Sequence, residues 1–278
     1  MAMNPKARNL ITRIAVAVVA IPALVYLFIL GGWFWTLFVE LLVILSFWEL
    51  TRLFGLGERK LPRFLLLELC VIPPLLFHFH LWQWIAPWAF FVIATIAYYN
   101  IRRPEPLAPE SNLSELIVTV LYISLGFGFW VGVRQCGSEI EGARWLMFMF
   151  ADLWVADTFA MLFGALWGKK KFAPVVSPNK TWVGFGAGLV GGGLVGVVFV
   201  WGGWLPTSAW KILVMAVGIS WVGQYGDLFE SLLKRRAGVK DISAIIPGHG
   251  GVLDRFDSAL FAAPLLYFFL KVLVYSYI

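Results

Sequence analysis

The stretch GDLFESLLKRRAGVKDISAIIPGHGGVLDRFDS, residues 226–258, decides how the chain is read. Within it stand Asp227, Glu230, Lys234, Arg235, Arg236, Lys240, Asp241, Asp254, Arg255 and Asp257, and long apolar segments flank it on both sides. Ionisable groups at the edge of hydrocarbon are costly, so they usually serve chemistry. Their order is acid, base, acid. That order suits a metal-bound phosphate better than a plain surface loop.

The flanking segments determine the class of protein. Of the 278 residues 60% are hydrophobic, 17% aromatic and 14% charged, and mean hydropathy is +0.82. A water-soluble core of this length cannot absorb so much apolar surface, so the sequence implies an integral membrane protein. Fifteen Trp and eight Tyr suit aromatic belts at the two interfaces. The net charge of +6 favours anionic lipid or nucleotide near one face over nucleic acid. Cys70 and Cys136 form no metal or disulfide pattern. His78 and His80 flank a Pro-Pro helix end and read as interfacial. The first apolar run follows Lys6, Arg8 and Arg13 as a signal peptide would, but it lacks a small-residue cleavage site and reads as a retained helix.

At about 20 apolar residues per crossing, the pattern predicts nine helices and an all-α, polytopic fold. They cover approximately 11–30, 33–50, 64–79, 82–99, 113–133, 145–167, 182–203, 210–233 and 257–276. Glu40, Glu49 and Glu68 suggest that the second and third are shorter or lie partly in the interface. Alternating from a cytoplasmic N-terminus leaves only Arg134, Arg144, Lys211 and Lys271 outside, a strong positive-inside bias that places the C-terminus outside. Residues 1–140 then read as five generic spans. Residues 141–278 form a catalytic set of helices with cytoplasmic loops 168–181 and 234–256. The seventh helix is glycine-rich, and Gly184 with Gly188 predicts close helix packing.

Asp227, Ser231 and Lys234 fall at i, i+4 and i+7, placing a carboxylate, a hydroxyl and an ammonium on one helix face. Asp254 and Asp257 flank Arg255 and either cap the last helix or, with Asp254 joining Asp227, hold a divalent metal. Magnesium accepts one or two carboxylates together with water and phosphate oxygens. Between them, Pro247, Gly248, His249, Gly250 and Gly251 form either a tight turn or a phosphate cradle. His249 would donate to a phosphate or orient a carboxylate. The segment Ser177-Pro-Asn-Lys180-Thr181 reads as a turn and helix start, with Ser177 and Lys180 within reach of triphosphate oxygens. Asp152 and Asp157 stand about 140° apart on a regular helix, so they do not share a face. Asp157 is the better candidate to line a site.

The run Ser231-Leu-Leu-Lys234-Arg235, then Lys240-Asp241, then Pro247-Gly-His249-Gly-Gly251-Val-Leu-Asp254-Arg255-Phe-Asp257 resembles the signature of phosphatidate cytidylyltransferases, also called CDP-diacylglycerol synthases. Gly226-Asp227 and the block from Ser177 to Trp182 are similar to that family too, so the resemblance covers roughly residues 145–260. It implies a nine-span, all-helical homodimer that joins CTP to phosphatidic acid within the bilayer, giving CDP-diacylglycerol and pyrophosphate. Magnesium is the implied cofactor, with a second cation left open. Asp227 and Asp254 correspond to metal ligands; Asp227, Lys234, His249, Asp254 and Asp257 to catalytic positions. Ser177, Lys180, Thr181, Ser231, Arg235, Lys240, Gly250, Gly251 and Arg255 correspond to substrate-binding positions. The active site would face the cytoplasm of a bacterial inner membrane. Val183 departs from the family pattern, where a polar Glu or Gln often stands. A CTP-dependent polyprenol kinase, or an ion-coupled transporter using Asp152, Asp157 and Asp227, are the rival readings.

Overall fold

The computed structural model describes residues 5–55, 63–102, 113–240, 242–243 and 250–276. Among these are nine α-helices: α1 (Pro5–Leu30), α2 (Gly32–Leu53), α3 (Arg63–His78), α4 (Ile85–Ile101), α5 (Leu113–Arg134), α6 (Glu139–Trp167), α7 (Trp182–Gly202), α8 (Ala209–Arg236) and α9 (Leu253–Phe269). A π-helical turn, Leu270–Val274, prolongs α9. Six helices, namely α2 and α5 to α9, are long and apolar enough to cross a membrane. The protein is therefore all-α and built for a bilayer. The 16 residues of α3 and 17 of α4 rise only about 24–26 Å, short of a typical ~30 Å hydrocarbon core.

Three expectations change. Helix α6 begins at Glu139 rather than near Trp145, because Ser138 and Glu141 form a reciprocal capping box in which each side chain satisfies the other's backbone N–H. Between α6 and α7 the chain is not a simple turn. Lys171–Ala173 (β1) pairs antiparallel with Ser177–Thr181 (β2), and Thr181 then caps α7 by accepting from the Gly184 amide. Nor is α2 shortened by its acids: it runs unbroken past Glu40 and Glu49.

Helix α7 is apolar all round, so polarity cannot orient it; side-chain size does. Gly184, Gly188, Gly191, Gly192 and Gly196 face α6 and α8. A Cβ on Gly184 would lie 2.7 Å from the Ala160 carbonyl oxygen, one on Gly188 3.2 Å from that of Ala156, and one on Gly192 1.7 Å from Ser220 Oγ. Val190, Val197 and Val198 face outward, while Val195 is buried on the same side as the packed glycines. In α5 the same device works toward two neighbours: Gly128 packs on Pro73 of α3, and Gly126 on Leu260 of α9. Trp130 sits at this junction, donating from Nε1 to the Ala259 carbonyl at 3.3 Å and lying nearly parallel to Trp35 at 6.0 Å between centroids. The packed core thus ties α2, α5 and α9 together.

Candidate active site

One end of the bundle gathers the C-terminal ends of α2, α6 and α8, the N-terminal ends of α5, α7 and α9, and the β-hairpin. Several contacts join these ends. Lys180 Nζ on β2 lies 2.6 Å from Asp227 Oδ2 on α8 and 3.3 Å from the Gln224 carbonyl. Arg235 donates from Nε to the Val176 carbonyl in the hairpin. Arg236 reaches Glu115 on α5. Lys234 forms ion pairs with Glu230 one turn back and, at 2.7 Å, with Asp254 on α9.

The hairpin is held over this end by aromatic contact. The Phe172 ring lies 4.6 Å from Trp182, 4.8 Å from Phe185 and 6.3 Å from Tyr225, centroid to centroid. Lys180 is thereby carried onto α8. Beneath it opens a cleft of about 610 Å³ whose lining includes Asp157, Gly164, Phe172, Lys180, Gln224 and Asp227. Glycines keep this cleft open where α6 and α7 meet: a Cβ on Gly168 would fall 2.3 Å from Thr181 Oγ1.

The carboxylates form two linked groups. Asp157, Asp227 and Asp257 lie in one another's electrostatic field, with Lys180 as the nearby cation. Glu230, Asp254 and Lys234 form the second group, and Asp257 lies within reach of Glu230. Asp257 is buried, its Oδ1 accepting from the Ser258 amide at 2.6 Å. Asp227 and Asp254 therefore stand at the same end of the molecule, each beside a lysine, with Asp257 sensing both groups. Asp152 points elsewhere: fully buried, it accepts from Ser220 Oγ at 2.5 Å, deep between α6 and α8.

The other expected residues fall as follows. Ser231 Oγ approaches Asp227 Oδ1 only at 3.5 Å, a weak contact. Ser177 and Gly250 are half-buried, Thr181 is buried under α7, and Lys240 and Arg255 are exposed. Val183 is largely exposed. Gly250 has φ +85° and Gly251 donates its amide to Asp254 Oδ2 at 2.8 Å. His249, like Asp241, Pro247 and Gly248, lies outside the described residues.

Two further residues enter the site without a sequence signal. Tyr122 of α5 packs its ring against Phe229 and Phe261, and its buried hydroxyl has no hydrogen-bond partner among the described residues. It lies in the field of Asp257, Glu230 and Asp227. Glu49 of α2 accepts from the Val252 and Leu253 amides at the start of α9.

The model of the cytidylyltransferase family matches residues 11–273. The chain belongs to the cytidylyltransferase family. It is 44% identical over 150 residues to a phosphatidate cytidylyltransferase of Staphylococcus epidermidis, 41% to one of Staphylococcus haemolyticus and 42% to one of Staphylococcus aureus. Each match covers 54% of this chain and 56% of the relative, so just over half the length of those proteins is compared. The family match takes in every helix from α2 to α9 and the whole of the hairpin and cleft.

Proposed function

We propose that this member of the cytidylyltransferase family is a phosphatidate cytidylyltransferase, joining CTP to phosphatidic acid to give CDP-diacylglycerol and pyrophosphate. The observation that carries the reading is the meeting of Lys180, Asp227 and Asp157 at a cleft on one end of an otherwise apolar bundle. A phosphate oxygen of phosphatidic acid forms a bond to the α-phosphorus of CTP, and the bond to the bridging α,β-oxygen breaks, pyrophosphate leaving with the electron pair. Every reacting group is anionic, so the protein's task is positioning and charge compensation. Lys180 and Lys234 are ammonium groups already held in place by carboxylates, and Arg235 fixes the hairpin that presents Lys180.

The donors here suit a hard divalent cation. Asp157 and Asp227 line the cleft beside Lys180, and carboxylate oxygens are the donors that such an ion prefers. Among the described residues no three acidic, His or Cys ligands form a complete cage. Magnesium needs fewer protein ligands than that, because it keeps waters and takes phosphate oxygens. Asp227 and Asp254 would hold it, and when bound it would supply charge neutralisation at the phosphates. Lys180 and Lys234 would then exchange carboxylate for phosphate partners.

This reading places the site at the cytoplasmic side of a bacterial inner membrane, with nine spans, the C-terminus outside, and a homodimer as the working unit. The basic residues support the orientation. Lys169, Lys170, Lys171, Lys180, Lys234, Arg235, Arg236, Lys240 and Arg255 all belong to the cleft end. The test is direct: purified protein, phosphatidic acid, Mg²⁺ and CTP labelled at the α-phosphorus. Label in the lipid product is expected. Label transferred only from γ-labelled CTP would instead make the protein a lipid kinase.

A further inference from the structure

The first turn of a helix leaves N–H groups without partners inside the helix. In α9 that turn carries Asp254, and the residue before it, Val252, has no side chain able to accept. The acceptor comes from α2. Glu49 Oε1 accepts from the Val252 amide and Oε2 from the Leu253 amide, each at 2.8 Å, and Ser243 Oγ donates to Oε1 at 2.5 Å. The Glu49 side chain is 1% exposed. A carboxylate at this place also meets the positive end of the helix dipole. The backbone before it is shaped to admit the contact: a Cβ on Gly251 would lie 2.7 Å from Glu49 Oε1 and 3.0 Å from Asp254 Oδ2. The amides of Gly251, Val252 and Leu253 are thus all held by carboxylates of the chain itself.

We propose that Glu49 is a positioning residue for the cytidylyl-transfer site. It caps α9 from α2 and so sets the rotation and height at which Asp254 meets Lys234 and Asp257 meets the field of Asp227. Two carboxylate oxygens on two successive amides leave the first turn of α9 no freedom to roll. The anion of Glu49 occupies the helix end that a phosphate would otherwise take, so the glycine turn serves the acids rather than the substrate. Helix α2 then helps to position the site. The kinetic part of this inference rests on the function proposed above; the structural part does not.

The experiment uses the full-length protein in detergent, as wild type, Glu49→Gln and Glu49→Asp. Hydrogen–deuterium exchange of peptides covering 250–256 is expected to rise at least about tenfold in Glu49→Gln, because the amide side chain brings N–H donors toward donors. Peptides from α6 and α7 should exchange as in wild type. In the α-labelled CTP assay kcat, per folded molecule, should fall about 10- to 100-fold, with KM for CTP within about twofold if only the reacting geometry is lost. Glu49→Asp, which keeps the charge on a shorter arm, should recover part of kcat and part of the protection. Wild-type exchange in Glu49→Gln overturns the inference. So does raised exchange with unchanged kcat, which would make the contact merely structural. Should Glu49→Gln fail to fold, Glu49→Asp decides: unchanged exchange and kcat overturn the inference, and intermediate values of both support it. No labelled lipid from wild type would sink the cytidylyltransferase reading while the exchange comparison, which needs no substrate, still decides the cap.

Discussion

The two ends of the bundle use charge in opposite ways. At the end away from the cleft, cations turn inward to backbone carbonyls. Arg134 donates to the Phe28 and Ile29 carbonyls that close α1, Arg144 to the Trp204 carbonyl beyond α7, and Lys211 to the Leu273 carbonyl near the end of α9. Lys271 lies over the Tyr267 ring. Arg134 and Lys211 thereby terminate helices, satisfying carbonyls at their C-terminal ends. At the cleft end, lysines face carboxylates instead: Lys180 with Asp227, and Lys234 with Glu230 and Asp254. Such pairs can exchange partners when a more anionic group arrives, whereas a helix cap cannot leave without stranding its carbonyls. One end is built to hold and the other to trade.

The contrast can be broken most severely at Asp227. Replacing it with Ala should lower cytidylyl transfer about 10²- to 10³-fold, while melting in detergent stays near that of wild type. A variant that keeps full turnover would erase the distinction. Next comes Arg134→Ala, which strands two carbonyls of α1. It should destabilise the protein by about 1.5–3 kcal/mol, the range for hydrogen bonds from a charged donor, and leave turnover per folded molecule unchanged. Gly31, whose φ is +59° and whose Cβ would overlap the Arg134 guanidinium, makes this end intolerant of any added side chain.

Between the two ends lies the glycine seam of α7, and it sharpens the comparison. Gly192→Ala places a methyl against Ser220 and Asp152, and should cost about 1–3 kcal/mol through overpacking. Gly186→Ala meets nothing within 4 Å and should be neutral or slightly stabilising by thermal melting. A comparably small effect belongs to Arg236→Ala. Its pair with Glu115 is 3.3 Å long and more than half exposed on the arginine side, so its loss should change stability by less than about 1 kcal/mol.

Much of this arrangement is legible in the sequence. The helical segments lie within a few residues of where hydropathy puts them, apart from α1 and α6, which begin at Pro5 and Glu139, well before the expected starts; the early start of α6 is announced by Ser138 and Glu141. The glycines of α7 pack as their spacing predicts, and Asp157 lines the cleft while Asp152 turns away. The hairpin is not legible, because Lys171–Ala173 is too short to show a period of two. Nor is the partner choice of the lysines. Spacing on α8 offers Lys234 to Asp227, yet Lys234 pairs with Glu230 and Asp254, and Asp227 receives Lys180 from the hairpin.

By itself, then, the sequence determined what each segment is: an apolar helix of bilayer length, a glycine face, a charged connection. Those properties are local, written in twenty or so neighbouring residues and the solvent that surrounds them. Which carboxylate faces which ammonium was decided only by the tertiary structure. So was the capping of α9 by Glu49, whose residue lies 203 positions from Val252. A carboxylate finds its donors by distance in space, and no periodicity along the chain records that distance.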